Sequence, residues 1–194
     1  QLKGNLIINY YPTRTASVNT LIGHIQQCEM QGVSPDMVIV DYADIMKSTS
    51  KFTEKRHQIG HVYEELRGMA GEFDIPIWTA SQANRSALEE DVIGAEKVSE
   101  DYSKVMTADF VMSMSRKVED KIANTGRFHV IKNRFGPDGI TFPATINTNT
   151  GNIMIYDTNT QGGQETQGKM NNADEYIRKT LAQKKKDFDG GGFE

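Results

Sequence analysis

Met37-Val38-Ile39-Val40-Asp41-Tyr42 is the stretch on which the fold turns. An unbroken apolar run, rich in β-branched residues, stops at a carboxylate. So short a run without alternation reads as a strand covered on both faces, the kind that parallel sheets use. Ile75-Pro76-Ile77-Trp78-Thr79-Ala80 repeats the pattern and ends in Ser81-Gln82. Between the two, a polar stretch from Lys47 to Lys51 precedes Phe52, Ile59, Tyr63, Leu66, Met69, Ala70 and Phe73, which mark one face of a long amphipathic helix. Upstream, Ser17 is a candidate N-cap. Val18, Leu21, Ile22, Ile25 and Cys28 follow at helical spacing, and Gly32 closes that helix. Further upstream, Asn5 to Tyr10 reads as another buried strand, ended by Pro12. The order strand–helix–strand–helix–strand predicts an α/β fold, a mostly parallel sheet flanked by helices.

Downstream the pattern changes. Residues 83–107 are polar and irregular, with a short helix expected near Lys97–Met106. Phe110–Met114, Arg127–Lys132, Ile140–Ile146 and Ile153–Tyr156 read as strands joined by Gly and Asn turns, which predicts C-terminal β-hairpins. Residues 1–157 are the expected core. Residues 158–172, rich in Gln, Gly, Asn and Thr, read as a flexible linker. Residues 173–194 read as a short helix, Ala173 to Lys186, and a disordered, acidic, Gly-rich tail.

The 194 residues suit one domain. With 22 Lys and Arg against 26 Asp and Glu, the net charge is −4, which excludes a generic basic coat for nucleic acid and confines any such contact to a local patch. The single cysteine, Cys28, excludes an internal disulfide and a Cys-rich zinc site. Nothing resembles a signal peptide, and no apolar run is long enough to span a membrane. A cytoplasmic setting without membrane contact is expected. The chain opens on Gln1 rather than Met and enters a strand-like stretch at once, so it reads as a piece of a longer protein.

In open parallel sheets, ligands bind at the carboxyl ends of the strands. Tyr10-Tyr11, Asp41-Tyr42 and Ser81-Gln82 are the expected ends here. An acid at the tip of an apolar strand suits Mg²⁺ beside nucleotide phosphates, because a hard dication takes carboxylate and water oxygens. A helix cap or a satisfied turn explains a single such Asp equally well. His57 and His61 sit four apart on the long helix, as metal ligands can, but no third ligand is evident and a solvated face is the simpler account. Lys47, Lys51, Lys55 and Arg56 form a basic stretch that reads as ordinary surface charge.

Several motifs together resemble the DnaB family of replicative DNA helicases, which carry a RecA-like ATPase domain. Val38-Ile39-Val40-Asp41-Tyr42-Ala43-Asp44-Ile45-Met46 is similar to that family's Walker B segment, I-V-I-D-Y-L-Q-L-M. Ile75 to Arg85 resembles V-P-V-I-A-L-S-Q-L-N-R, Thr107-Ala108-Asp109-Phe110-Val111 resembles D-A-D-V-V, and Lys132-Asn133-Arg134-Phe135-Gly136-Pro137 resembles K-x-R-x-G-P. The matches keep the family's order across about residues 5–157, and the Lys-Asn-Arg form is closest to the phage branch.

The resemblance implies ATP and Mg²⁺ as cofactors. It implies that Asp41 holds Mg²⁺ through water and that Gln82 contacts the γ-phosphate. Arg134 takes the place of the arginine finger that enters a neighbouring subunit's site, with Lys132 as its companion. It further implies a homohexamer acting on single-stranded DNA, with primase and a helicase loader as partners, in the host cytoplasm if the source is a phage. Residues 85–107 occupy the place of the family's central-channel loop, but here the D-L-R-E-S-G-x-I-E pattern gives way to Lys97-Val98-Ser99-Glu100-Asp101-Tyr102-Ser103-Lys104-Val105. Arg85, Lys97, Ser99, Ser103 and Lys104 remain as candidate contacts to DNA phosphates, in a stretch otherwise acidic.

No G-x-x-x-x-G-K-S/T occurs in the chain. The family's phosphate-cradling loop and catalytic glutamate precede the part matched here, and are expected upstream of Gln1. Two other readings stay open: a RecA-like recombinase or recombination mediator, and a non-catalytic assembly module.

Overall fold

The computed structural model describes residues 4–84, 90–95 and 102–189, the side chains of 184–189 excepted. Two units divide the chain: Gln1–Gln82 with Val98–Ala108, and the remainder, Ala83–Lys97 with Asp109–Glu194.

In the first unit, helix α1 (Val18–Met30) is followed by strand β1 (Val38–Val40), a 3-10 turn (Ala43–Ile45), helix α2 (Lys55–Phe73), strand β2 (Ile77–Thr79) and the short helix α3 (Ser103–Thr107). At the start of α1 the Ser17 backbone N–H donates to Thr20 Oγ1 at 3.2 Å. The end of α1 is made by Gly32, whose φ of 82° is the left-handed conformation that glycine adopts without a Cβ penalty. Helix α2 ends in the same way at Asp74, φ 53°.

Strands β1 and β2 pair in parallel, with Val38 opposite Ile77, Ile39 opposite Trp78 and Val40 opposite Thr79. Val38, Val40 and Ile77 face a core of Val18, Ile25, Ala43, Ile59, Val62, Tyr63, Leu66 and Met69, supplied by α1, α2 and the 3-10 turn. The apolar positions expected on the long helix are therefore the ones that cover the sheet. The other face differs from expectation. Ile39 is 73% exposed and Trp78 47% exposed, so among the described residues only one side of this parallel pair is covered.

Residues 5–10, expected as a buried strand, belong to no strand or helix, and Leu6, Ile8 and Tyr10 are exposed. An apolar run becomes a strand only where a neighbouring strand accepts its ladder, and no described strand lies there.

The second unit holds an antiparallel sheet in the order β3 (Phe110–Ser115), β4 (Thr125–Asn133), β5 (Thr141–Asn147) and β6 (Asn152–Ile155). The expected hairpins are present. The described sheets are thus a parallel pair and a larger antiparallel sheet made by the hairpins, within the α/β class that the sequence predicts. Gly151 (φ 69°) turns the β5–β6 hairpin. Between β3 and β4, helix α4 (Val118–Ala123) carries the buried Asp120. Its carboxylate accepts from Thr125 Oγ1 at 3.0 Å, from the Lys117 backbone N–H at 3.0 Å and from Arg127 at 2.6 Å. Asp91 lies against the same basic groups, and the Lys117 ammonium hydrogen-bonded to it, with Arg127 nearby, holds its carboxyl below the usual range.

Helix α5 (Gln161–Asp189) replaces the expected linker over 158–172 and absorbs the expected short helix as well. Gly163, Thr166 and Met170 are its buried positions among the described side chains, spaced as one helical face. Its glycines serve close approach rather than flexibility. A Cβ on Gly162 would meet the Tyr156 ring at 2.7 Å, and one on Gly163 would meet the Asp157 carbonyl.

Candidate nucleotide edge and its supports

Asp41 follows Val40 directly, and Val40 is the register partner of Thr79, so Asp41 and Ser81-Gln82 leave the parallel pair at the same end. Both Asp41 and Gln82 are exposed. Two cross-links tie the two tips together. Thr79 Oγ1 donates to the Val40 carbonyl at 2.9 Å and accepts from the Ala43 backbone N–H at 2.9 Å. Gln82 Nε2 donates to Tyr42 Oη at 3.2 Å. A threonine at the end of β2 therefore fixes the turn that carries the acid of β1, and the glutamine closes the edge.

Beneath this edge lies a polar cluster that sequence reasoning missed. Asp44 Oδ1 accepts from the Tyr63 hydroxyl at 2.8 Å. Asp44 Oδ2 accepts from Ser81 Oγ at 3.0 Å and lies 3.0 Å from Lys104 Nζ. Lys104 Nζ also donates to Ser81 Oγ at 3.1 Å and sits 5.6 Å from the Tyr63 ring centroid. The Lys104 side chain is 3% exposed and that of Asp44 12%. Burial first, and the adjacent Asp44 carboxylate second, push the Tyr63 phenol far above its ordinary pKa. The sequence offers one trace of it, Asp44 standing where the family pattern has glutamine, and does not say which residues meet that carboxylate.

Lys104, expected to reach DNA phosphates, is therefore corrected. Its ammonium is buried on Asp44 and Ser81 and is not displayed at the surface. Ser103 is half-buried in the first turn of α3. Arg85, Lys97 and Ser99 lie outside the described residues.

In the second unit, Lys132 and Arg134 lie at the end of β4. Lys132 is opposite Val111, and a bulge intervenes before the next pair, Met112 opposite Val130. The Arg134 backbone N–H donates to the Asp109 carbonyl at 2.9 Å, and its guanidinium lies 2.9 Å from Asp109 Oδ1, so backbone and side chain are held by the same residue. The turn that follows is fixed by Asn133, which accepts from the Phe135 backbone N–H and donates to the Pro137 carbonyl, both at 3.2 Å.

The donor set fits Mg²⁺-nucleotide at Asp41 in one respect. A single exposed carboxylate at a strand tip can hold a hydrated dication shared with phosphates. Among the described residues no cluster of three His, Cys, Asp or Glu forms an all-protein metal cage. His61, the better placed of the two helix histidines, is occupied by Ser48 and Ser50 at 3.4 Å each and by Glu65 at 3.3 Å, so it pins the loop after the 3-10 turn. Among the described residues no helix is long and apolar enough to cross a membrane.

Residues 3–150 match the family described as DnaB-like helicase C terminal domain. The chain is 29% identical over 137 residues to the "DnaB-like replicative helicase" of Enterobacteria phage T4, a match covering 69% of this chain and 29% of that protein. Two solved structures superpose with a TM-score of 0.64 at 20% identity over 73% of this chain. One is an isolated ATPase domain, covered to 52%, and the other is "The Structure Of A DnaB-Like Replicative Helicase And Its Interactions With Primase", covered to 35%. At that identity the likeness is one of fold, and it is the RecA-like ATPase fold that the motifs imply. The chain spans about half the length of these relatives or less. A family match over residues 3–150, most of the chain, makes this chain a member of the DnaB-like helicase C-terminal domain family.

Proposed function

We propose that this chain is the part of a replicative DNA helicase that completes an ATP site and couples it to single-stranded DNA. The observation that carries the reading is the pair of adjacent strand tips bearing Asp41 and Gln82, cross-linked through Thr79 and Tyr42. Bound ATP supplies the phosphoryl group, and Mg²⁺ neutralises charge on its phosphates. In this reading Asp41 orients the hydrated ion, and the Gln82 amide donates to the γ-phosphate. Arg134, with Lys132 beside it, serves the site of the neighbouring subunit, where a guanidinium stabilises charge that develops in transfer. Single-stranded DNA is the proposed ligand of a ring of six subunits, with Arg85, Lys97, Ser99 and Ser103 as its candidate contacts. Primase and a loader are the proposed partners, and the phage host's cytoplasm the proposed setting. The primase contact is supported by the second structural relative, a DnaB-like replicative helicase described together with its interactions with primase.

The test uses the full-length gene product. ATP hydrolysis stimulated by single-stranded DNA, together with unwinding of a forked duplex, is expected. Strand exchange without unwinding would favour the recombinase reading. Hydrolysis and unwinding both absent from a folded, oligomeric preparation would leave an assembly module.

A further inference from the structure

Lys104 is a buried cation that the proposed chemistry does not use. Its position is unusual among the polar groups of the first unit. It belongs to α3, the helix that resumes the chain directly after residues 96–101, yet its ammonium ends beneath the strand tips, 3.0 Å from Asp44 Oδ2 and 3.1 Å from Ser81 Oγ. Asp44 lies three residues after Asp41 in the turn that Thr79 fixes, and Ser81 immediately precedes Gln82. One ammonium therefore touches both segments that carry the candidate nucleotide-contacting residues.

The burial makes the arrangement directional. An ammonium this deep cannot be left without its carboxylate, since a lone buried charge is strongly disfavoured. Asp44 is held from within the cluster, by Tyr63 on one oxygen and by Ser81 and Lys104 on the other. A second strut runs from α2 to the end of α3, where the Arg67 guanidinium donates to the Thr107 carbonyl. α3 is thus held both at its Lys104 side chain and at its C-terminal end.

We propose that Lys104 is a positioning residue: through Asp44 and Ser81 it holds the Gln82 tip in register with Asp41 and makes that register depend on where α3 lies. Its consequence for catalysis rests on the helicase reading, because residues 85–101 are there the DNA-facing loop. The positioning itself does not rest on it.

Two measurements separate the proposal from that reading. The first is amide hydrogen exchange on the 194-residue chain, with Lys104→Met, Asp44→Asn and the double variant. Exchange at residues 80–84 should quicken at least about tenfold in each single variant and no further in the double, while the core amides of α2 keep their protection. Rates at 80–84 within about twofold of the parent in variants that stay folded would overturn the proposal. Should Lys104→Met fail to fold, Tyr63→Phe removes only one hold on Asp44, and it should give a smaller quickening at the same amides. No quickening there would overturn the proposal equally.

The second measurement is steady-state hydrolysis by the full-length gene product. Lys104→Met should lower kcat in the presence of single-stranded DNA about tenfold or more with KM for ATP changed less than about threefold, and Lys104→Arg should recover most of it. A loss confined to KM, or no recovery with arginine, would contradict coupling through this cation. A parent protein without DNA-stimulated hydrolysis would end the helicase reading, while the exchange experiment would still decide the positioning role.

Discussion

The Arg134 guanidinium lies 2.9 Å from the Asp109 carboxylate, and both side chains remain nearly half exposed. An ion pair so open to water is worth under about 1 kcal/mol. Asp109 therefore orders the arginine without competing seriously against a polyphosphate, whose charge is larger and whose oxygens match the guanidinium fork. The Asp109 carbonyl and carboxylate together keep the arginine at the end of β4, with its guanidinium still open to solvent.

Arg134→Ala in the full-length gene product should retain ATP binding and lose about 10³–10⁵ of the hydrolysis rate, the usual effect of removing such a finger. Mixed with an Asp41→Asn variant, it should regain part of the activity, because some interfaces then hold an intact arginine and an intact acid. Absence of recovery despite demonstrated subunit exchange would place Arg134 in its own subunit's chemistry or outside it altogether.

Asp120 is the group whose loss the second unit should tolerate least. It is 1% exposed and meets Arg127, Thr125 and the Lys117 backbone. Asp120→Ala leaves a largely buried guanidinium without its nearest carboxylate, which typically costs about 3–5 kcal/mol. Urea unfolding of the chain reads this directly. A loss below about 1 kcal/mol would mean that Asp91 takes over Arg127 fully.

The Tyr63 phenol gives a pH dependence with a definite sign. Its pKa is raised in the folded chain by burial and by Asp44, while an unfolded tyrosine titrates near about 10. The neutral phenol therefore contributes stability that is fully present below about pH 10 and is lost as pH rises above it, where only the unfolded chain releases the proton. Of the seven tyrosines, Tyr63 should ionise only as the chain unfolds, in a phenolate absorbance titration followed beside circular dichroism. In Tyr63→Phe that last, unfolding-linked step should vanish. A reversible titration of Tyr63 near about pH 10 with the fold intact would contradict its place in the cluster.

The 194-residue chain alone should bind Mg-ATP no better than about millimolar and hydrolyse none. Most ground-state affinity for a triphosphate comes from the backbone N–H groups and lysine of a phosphate-cradling loop, and the sequence contains no such motif. Titration calorimetry and phosphate release check this. Micromolar binding or steady turnover would show that the nucleotide edge has been misplaced.

The parts of this picture that were legible in the sequence are those governed by local pattern. The strands ending at Val40 and Thr79 are short apolar runs, the face of α2 follows helical spacing, and the C-terminal hairpins are marked by Gly and Asn turns. What was misread depends on partners distant in the chain. Leu6 to Tyr10 looks like a strand by composition, but composition does not say whether a neighbour accepts its ladder. Gly162 and Gly163 read as a linker, whereas their bare Cα atoms let α5 pack onto Tyr156 and Asp157. Lys104 reads as a surface cation because the carboxylate that buries it, Asp44, lies far upstream in the chain. The positions of Asp41 and Gln82 were legible from the motifs, and the Asp44–Tyr63–Ser81–Lys104 cluster beneath them was not, because its members come from separate segments of the chain.

The central claim is that the Asp41 tip is the magnesium-nucleotide edge of a helicase, and one measurement bears on it most directly. Steady-state ATP hydrolysis by the full-length gene product, with and without single-stranded DNA, is compared between the parent and Asp41→Asn at matched circular dichroism and oligomeric state. The account predicts DNA-stimulated turnover in the parent and, in Asp41→Asn, a loss of several kcal/mol of barrier lowering, about 10²-fold or more in rate. Near-parental turnover by a folded Asp41→Asn protein would contradict it.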